Sequence, residues 1–281
     1  MLRHLLATVA CLSALALTAC TADDPAPDAD PSGTATPTAA PPTATERPFP
    51  KDRACYRLTV KQAVAPTADL PPVDCSKRHT SITFAVGRLD NVAGGHLLAI
   101  DSQRVQDAVA EICPEKFAEF VGGSEEAQRL SMLRTVWFTP TVEESDKGAE
   151  WYRCDAIAVA ADDQLAPLSG RLAGVLATPE GRDRYGMCGT TAPDDPEFER
   201  VICSEPHRWR AIATVDFEPG RYPGADAVRS RGQTPCEDAG ASAADDVLDY
   251  EWGYEWPTKE QWQQGQTFGR CWVPDQASSS E

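Results

Sequence analysis

The feature that most constrains this chain is a cysteine-containing motif that occurs twice. Both copies follow the pattern P-T-x-E-x4-G-x2-[W/F]-x-R-C, once over residues 140–154 and once over residues 257–271. An aromatic residue, Trp137 or Tyr254, also lies three residues before each proline. Agreement at fixed spacing predicts two copies of one structural unit, which we place at residues 51–178 and 184–275.

The cysteines predict that each copy is held by disulfides. Of the ten cysteines, Cys11 and Cys20 lie in the N-terminal segment, and the other eight divide four to each copy. An even number per unit in an exported chain is typical of disulfide frameworks. Other pairings remain open, but the spacing favours the pairs Cys55–Cys75, Cys113–Cys154, Cys188–Cys203 and Cys236–Cys271.

The N-terminal segment predicts export and a lipid anchor. Residues 1–19 combine a basic start with a short apolar run, and the run ends in Leu-Thr-Ala-Cys, which resembles a bacterial lipobox. We expect cleavage before Cys20 and a lipid on its sulfur, which would place the protein on the extracytoplasmic face of the membrane; the alternative is a plain secretory signal. Residues 20–50 are rich in Pro, Ala and Thr, which predicts a disordered tether, and residues 276–281 form a polar tail.

The remaining sequence predicts an α+β fold: two homologous disulfide-bonded units, each a small, mostly antiparallel sheet with one helix. Alternating apolar residues predict strands at 82–86, 132–139, 154–159 and 211–215. Helical spacing runs from Ser102 to Val121, and Pro114 should kink or split that helix. In the second unit we expect a weak helix over 237–248 and a strand over 249–256, while 165–176 reads either as a closing strand or as a crossover.

The net charge of −17 excludes some classes of partner. Nucleic acids require clustered lysine and arginine to neutralise phosphates, so we expect no nucleic-acid partner. Docking on anionic lipid through a basic patch is disfavoured for the same reason, which leaves the N-terminal lipid as the expected membrane contact.

A second duplicated pattern, V-x-C-S-x-x-H, ends at His79 and at His207. A catalytic reading would make it a Cys-His or Ser-His site of an envelope hydrolase or transferase. A thiolate nucleophile or a zinc site needs reduced cysteines, however, and Cys75 and Cys203 are expected in disulfides. We therefore predict a structural role for both histidines, with no catalytic residue, metal or cofactor. A thiol redox protein is a weaker rival, because the chain has no C-x-x-C.

Aromatic residues concentrate in the second unit. Tyr250, Trp252, Tyr254 and Trp256 alternate, which in a strand places all four on one face, and Trp262 follows. The first unit matches only one of these aromatics, Trp137 for Tyr254, which favours a core role for that pair. The additional tryptophans either pack between or within the units or form a surface for a partner, for which Trp252, Trp256 and Trp262 are the candidates.

Taken together, the cysteines, the V-x-C-S-x-P-H pattern and the closing R-C resemble the septum-formation domain of actinobacterial envelope proteins. The resemblance covers both units and is closer in the second, because Arg78 replaces the proline of the pattern in the first. It implies a link to septation but provides no catalytic residues. We expect a lipid-anchored, non-enzymatic binding or scaffold module whose partner is an envelope protein or a wall glycan.

Overall fold

The computed structural model describes residues 49–246 and 248–275, all of which belong to one compact α+β unit. The strands of these residues are β1 Cys55–Tyr56, β2 Ser81–Arg88, β3 Val92–Ala93, β4 His96–Leu97, β5 Leu133–Phe138, β6 Trp151–Ala161, β7 Gln164–Ala166, β8 Met187–Gly189, β9 Arg200–Ile202, β10 Trp209–Asp216, β11 Gly253–Glu255 and β12 Phe268–Pro274. The helices are α1 Val60–Ala63, α2 Gln103–Val121, α3 Glu125–Arg129, α4 Val142–Asp146, α5 Pro179–Tyr185, α6 Ala225–Ala243 and α7 Lys259–Gln263. A 3-10 turn at Val175–Ala177 precedes α5.

Each copy of the repeat builds one antiparallel sheet. In the first copy the strand order is β1-β2-β6-β5, with β7 also pairing with β6. In the second copy the order is β11-β12-β10-β8-β9. The small hairpin of β3 and β4 belongs to the first copy alone among the described residues. The predicted fold class, with its four disulfides, is confirmed.

The two sheets repeat each other residue by residue. The motif cysteine lies opposite an alanine of the neighbouring strand in both copies, Ala85 for Cys154 and Ala213 for Cys271, directly after an irregularity in register. The shared aromatic lies opposite the same cysteine on the other side, Trp137 for Cys154 and Tyr254 for Cys271. The duplicated sequence therefore encodes a duplicated register.

In each of the long helices α2 and α6, every fourth residue is buried, and these residues form one stripe along the helix. Each stripe contains the cysteine that forms a disulfide with β6 or β12. Their buried residues are Val105, Val109, Cys113, Phe117 and Val121 in α2, and Val228, Gly232, Cys236 and Gly240 in α6. The disulfides Cys113–Cys154 and Cys236–Cys271 fix these helices to β6 and β12. The other two disulfides, Cys55–Cys75 and Cys188–Cys203, each close a short loop near the start of a copy. All four disulfides join the cysteines that the spacing favours.

The glycines of α6 explain two corrections to the sequence analysis. The helix begins at Ala225, twelve residues before the predicted start, because its buried stripe consists of small residues rather than large apolar ones. The aromatic side chains before β12 pack directly against these small residues. A Cβ on Gly232 would lie 1.9 Å from the Tyr254 ring, and one on Gly240 would lie 2.7 Å from Trp252. The predicted strand over 249–256 is correspondingly shorter, Gly253–Glu255.

Of the two expected effects of Pro114, a kink or a split, the split does not occur, because α2 runs continuously from Gln103 to Val121. The buried stripe continues on both sides of the proline, and Cys113 is covalently fixed to β6. Packing and the disulfide together outweigh the one hydrogen bond that proline removes.

The two copies share a core. One apolar cluster combines residues of the first copy, among them Met132, Ala156 and Ala158, with Ile202 and Trp272 of the second. Backbone hydrogen bonds also cross between the copies, from Met132 N to the Tyr185 carbonyl at 2.7 Å and from Met187 N to the Leu130 carbonyl at 2.8 Å. The sheets therefore form one structural body rather than two independently packed ones.

Candidate functional site

Several residues of the doubled motif stabilise local backbone structure in both copies. Thr141 and Thr258 cap helices α4 and α7, and in each case the side-chain oxygen three residues later accepts a hydrogen bond from the threonine N–H, forming a capping box. Gly148 and Gly265 follow the helices with φ values of 92° and 93°, a conformation that disfavours other residues. The capping boxes and the glycines of the motif therefore set how the chain enters β6 and β12.

The two motif histidines hold turns. In both copies Nδ1 faces the carbonyl oxygen two residues earlier, at 2.8 Å for His79 and Lys77 and at 2.7 Å for His207 and Glu205. His79 is buried, and its backbone carbonyl accepts a hydrogen bond from Leu168 N. The chemistry at both positions is that of a turn-stabilising N–H donor.

His207 has a second contact that His79 lacks. Its Nε2 lies 3.0 Å from the Asp275 carboxylate, which also accepts a hydrogen bond from Arg210 Nε at 2.8 Å. His207 lies beside Cys188 and Cys203, and the three side chains would have metal-binding geometry if both sulfurs were thiolates. Those sulfurs are joined to each other, so they are not available as thiolate ligands.

The three candidate tryptophans have different surroundings. Trp252 is half-buried against Gly240 of α6. Trp262 is only 7% exposed, and its indole N–H donates to the Gly220 carbonyl at 2.7 Å, so it belongs to the core and not to a binding surface. Trp256 is half-buried and lines an open cleft. The predicted three-residue surface therefore reduces to Trp256.

The cleft measures about 400 Å³ and lies where the second sheet meets the loop before β9. Its walls carry the aromatic residues Phe198, Tyr254 and Trp256 together with Pro193. Four charged residues line it, namely Asp162, Glu199, Arg200 and Glu255, and Thr258 and Gln261 close one side. Asp162 follows β6 of the first copy, so both copies contribute to the cleft. Apolar walls with a few converging polar groups are typical of ligand pockets of roughly 300–1,000 Å³.

Glu255 is the central charge of the cleft. One of its oxygens pairs with Arg200, and its side chain is only 13% exposed. The other oxygen, Oε2, has no hydrogen-bond partner among the described residues and lies 3.9 Å from Nη1 of Arg270, which is also unpartnered there. Arg200 Nε is likewise buried without a partner. The residues that line the cleft thus contribute one buried acceptor and one buried donor without a hydrogen-bond partner among the described residues, Glu255 Oε2 and Arg200 Nε.

Below Glu255 the arginines outnumber their counter-charges. Burial and the charges on Arg270 and Arg200 together lower the pKa of Arg134 to about 10. Burial and a neighbouring arginine likewise lower the pKa values of Arg200 and Arg270 to about 10. All three remain cationic near neutral pH, so positive charge is concentrated around Glu255 and its two arginines inside an acidic protein.

The same position is sealed in the first copy. Phe138 pairs with Arg153 in the register in which Glu255 pairs with Arg270. Arg153 is enclosed there, with its guanidinium 4.1 Å from the ring centre of Tyr56 and 4.7 Å from that of Phe138. Its charge is matched by Asp155, which also accepts hydrogen bonds from the Ser81 and Thr83 hydroxyls. The duplication has therefore produced one closed and one open version of a single site.

Comparison with known protein families agrees with this duplicated architecture. The family model described as "Septum formation" matches residues 18–140 and 130–271, which together cover most of the 281-residue chain. The chain belongs to the septum formation family. No curated protein and no solved structure gives a significant match. This family member has no helix, among its described residues, that is long and apolar enough to cross a membrane.

Several predicted features lie outside the described residues: the signal peptide over 1–19, the lipidation site Cys20, most of the tether over 20–50, and the tail over 276–281. They stay predictions.

Neither Arg200 nor Glu255 was identified as a site residue from the sequence. The signal for Glu255 was present in the repeat itself, because aligning Phe138 with Glu255 and Thr139 with Trp256 identifies the substitutions that open the second site. The alignment does not identify Arg200, the partner of Glu255. Arg200 lies on β9, which has no full counterpart among the described strands of the first copy.

Proposed function

We propose that this septum formation family member is a lipid-anchored, non-enzymatic binding module of the cell envelope. The family assignment ties the chain to septation or the envelope. The lipobox-like sequence ending at Cys20 supports the anchor, and residues 20–50 supply the length of chain that separates the folded body from the membrane. The ligand is a component of the envelope, either a wall glycan or another envelope protein.

The observation that supports binding is the open cleft of the second copy. In this cleft a carboxylate, Glu255, stands at the position of Phe138 in the sealed first copy, and its Oε2 has no hydrogen-bond partner among the described residues. Leaving such a polar atom buried and unsatisfied costs about 1–3 kcal/mol. A ligand that supplies the missing hydrogen bonds offsets that cost, which is typical of a binding site.

An envelope hydrolase or transferase that uses the motif histidines is a weaker alternative. A general base needs a free ring nitrogen directed at the proton that it removes. In His207 one ring nitrogen faces the Glu205 carbonyl and the other faces Asp275, and neither contact involves a nucleophile. The eight cysteines of the described body are paired, so a thiolate nucleophile is also disfavoured.

Crosslinking in intact cells tests the binding proposal. A photo-reactive phenylalanine analogue replaces Thr258, an exposed residue on the cleft, and in a control protein it replaces Lys61, an exposed residue of α1 in the first copy. We expect a defined adduct, to wall material or to one envelope protein, from position 258 and not from position 61. Equal or absent adducts at the two positions would contradict the proposal.

Metabolic labelling with an alkyne fatty acid tests the anchor. The wild-type chain and Cys11→Ser should take up the label, because Cys11 lies in the segment that is removed, while Cys20→Ser should not. Label retained by Cys20→Ser would contradict the proposed anchor and leave the binding proposal standing.

A further inference from the structure

The chemistry of the cleft narrows the class of ligand, provided that the proposed binding function holds. Two residues that line the cleft carry a buried polar atom without a hydrogen-bond partner among the described residues, the acceptor Glu255 Oε2 and the donor Arg200 Nε. A ligand group that satisfies both kinds of atom at once must donate and accept hydrogen bonds. A hydroxyl group does this, whereas a phosphate or carboxylate only accepts and an ammonium group only donates.

The charges around the cleft also disfavour ions of either sign. At the rim, Asp162 and Glu199 are exposed carboxylates on a protein of net charge −17, and they repel polyanions such as phosphate-containing wall polymers. Inside the cleft, Glu255 is already paired with two arginines, Arg200 and Arg270, and their charges repel an ammonium group. A neutral ligand avoids both penalties.

The aromatic wall complements the polar floor. Trp256 lies 5.9 Å from the Tyr254 ring, and the Arg229 guanidinium lies 5.1 Å from the centre of the Trp256 ring. These contacts orient the indole while leaving it half-exposed at the cleft. An oriented aromatic face provides a flat apolar surface of the kind on which the C–H face of a sugar ring packs.

We therefore propose that the cleft binds a neutral sugar ring of the wall glycan. The ring packs on Trp256, and its hydroxyl groups bridge Glu255 and Arg200. The first copy does not share this activity, because Phe138 and Tyr56 occupy the equivalent space over Arg153.

Calorimetric titration of residues 21–281, which contain the whole described body, tests this proposal. The probes are three fractions of purified wall: peptide-free glycan strands, the released peptides, and the phosphate-containing polymers. We expect heat of binding from the glycan strands alone. Binding of the peptides or the phosphate polymers in place of the glycan would overturn the proposal.

Variants locate the binding site. Glu255→Gln removes a buried charge that accepts hydrogen bonds and should weaken glycan binding by at least about tenfold. Trp256→Ala should weaken it by about tenfold as well. The controls are Glu150→Gln, which removes an arginine-paired carboxylate from the first copy, and Trp252→Ala, which removes a tryptophan that does not line the cleft. Both should bind like the wild type; an equal loss in a control and its partner variant would overturn the assignment to the cleft.

The two proposals fail separately. An adduct from position 258 without glycan binding in solution would leave the binding module intact and overturn the sugar assignment. Glycan binding that Trp256→Ala and Glu255→Gln leave unchanged would overturn the cleft as the sugar site.

Discussion

Arg153 and Arg270 occupy the same position of the repeat but have different surroundings. Arg153 is paired with Asp155 and enclosed by two aromatic rings. Arg270 has Glu255 at 3.9 Å. Both guanidinium groups keep buried nitrogens without a hydrogen-bond partner among the described residues, Nε and Nη2 in Arg153 and Nη1 in Arg270. A buried arginine is stable only when its charge is compensated, and the two copies place the compensating carboxylate differently, on the same strand in the first copy and on the neighbouring strand in the second.

The pairing of Arg153 gives a prediction at this scale. Asp155→Asn keeps the shape of the side chain but leaves the buried Arg153 charge uncompensated, which should lower the free energy of unfolding by about 3 kcal/mol. Urea unfolding measures the change. Asp162→Asn, at an exposed carboxylate, should change it by less than about 0.5 kcal/mol. An unaltered midpoint for Asp155→Asn would mean that the charge of Arg153 is compensated in some other way.

At the scale of elements, helix α6 and strand β11 depend on each other through residues that lack side chains. Gly232 allows the Tyr254 ring to lie against the helix, and the Tyr254 hydroxyl donates to the Val228 carbonyl at 3.1 Å. In α2 the corresponding stripe carries valines and a phenylalanine. In the second copy the large side chains of this interface therefore lie on the strand side and the small ones on the helix, while the disulfide between helix and sheet is retained.

Gly232→Ala tests this exchange, because two effects act in opposite directions. Alanine is a better helix former than glycine by about 1 kcal/mol. The new Cβ would lie 1.9 Å from the Tyr254 ring, and the resulting overpacking should cost about 3 kcal/mol. We expect net destabilisation of about 2 kcal/mol by thermal or urea unfolding. Ser230→Ala, at an exposed position of the same helix, should be neutral or slightly stabilising; a stabilised Gly232→Ala would contradict the packing.

At the scale of the whole molecule, the duplication produced one body with a shared core. Met187, Ile202 and Trp272 of the second copy pack in the same cluster as Met132 and alanines of β6. Arg129 of the first copy forms an ion pair with Asp216, and its carbonyl accepts a hydrogen bond from Arg270 Nε at 3.3 Å. The first copy therefore completes the support of the cleft.

It follows that the second copy should not fold stably by itself. A chain of residues 184–275 would expose one side of Trp272 and its neighbours, whereas residues 49–275 contain the whole core. We expect the shorter chain to lack a cooperative thermal transition and to bind a hydrophobic dye, even with both of its disulfides formed. A cooperative transition in 184–275 would mean that the shared cluster contributes little.

The repeat determines how much of this architecture could be predicted from sequence. The fixed spacings predict the fold class and the strand that contains each R-C pair. Helix α2 is predictable because large apolar residues mark its buried stripe. Helix α6 is largely hidden, since its stripe contains glycines and its aromatic partners lie on another element. The cleft depends on contacts between distant segments, such as Arg200 with Glu255, which local patterns do not encode.

The most direct test of the central claim is to observe the seven tryptophan side chains while wall fragments bind. With ¹⁵N-labelled tryptophan, each indole N–H gives one resonance, and Trp256→Phe assigns the relevant signal. Addition of enzymatically solubilised wall fragments should shift the Trp256 resonance and leave those of Trp137 and Trp151, in the sealed first copy, in place. Binding that moves the first-copy resonances while Trp256 stays fixed would contradict the division into one closed and one open site.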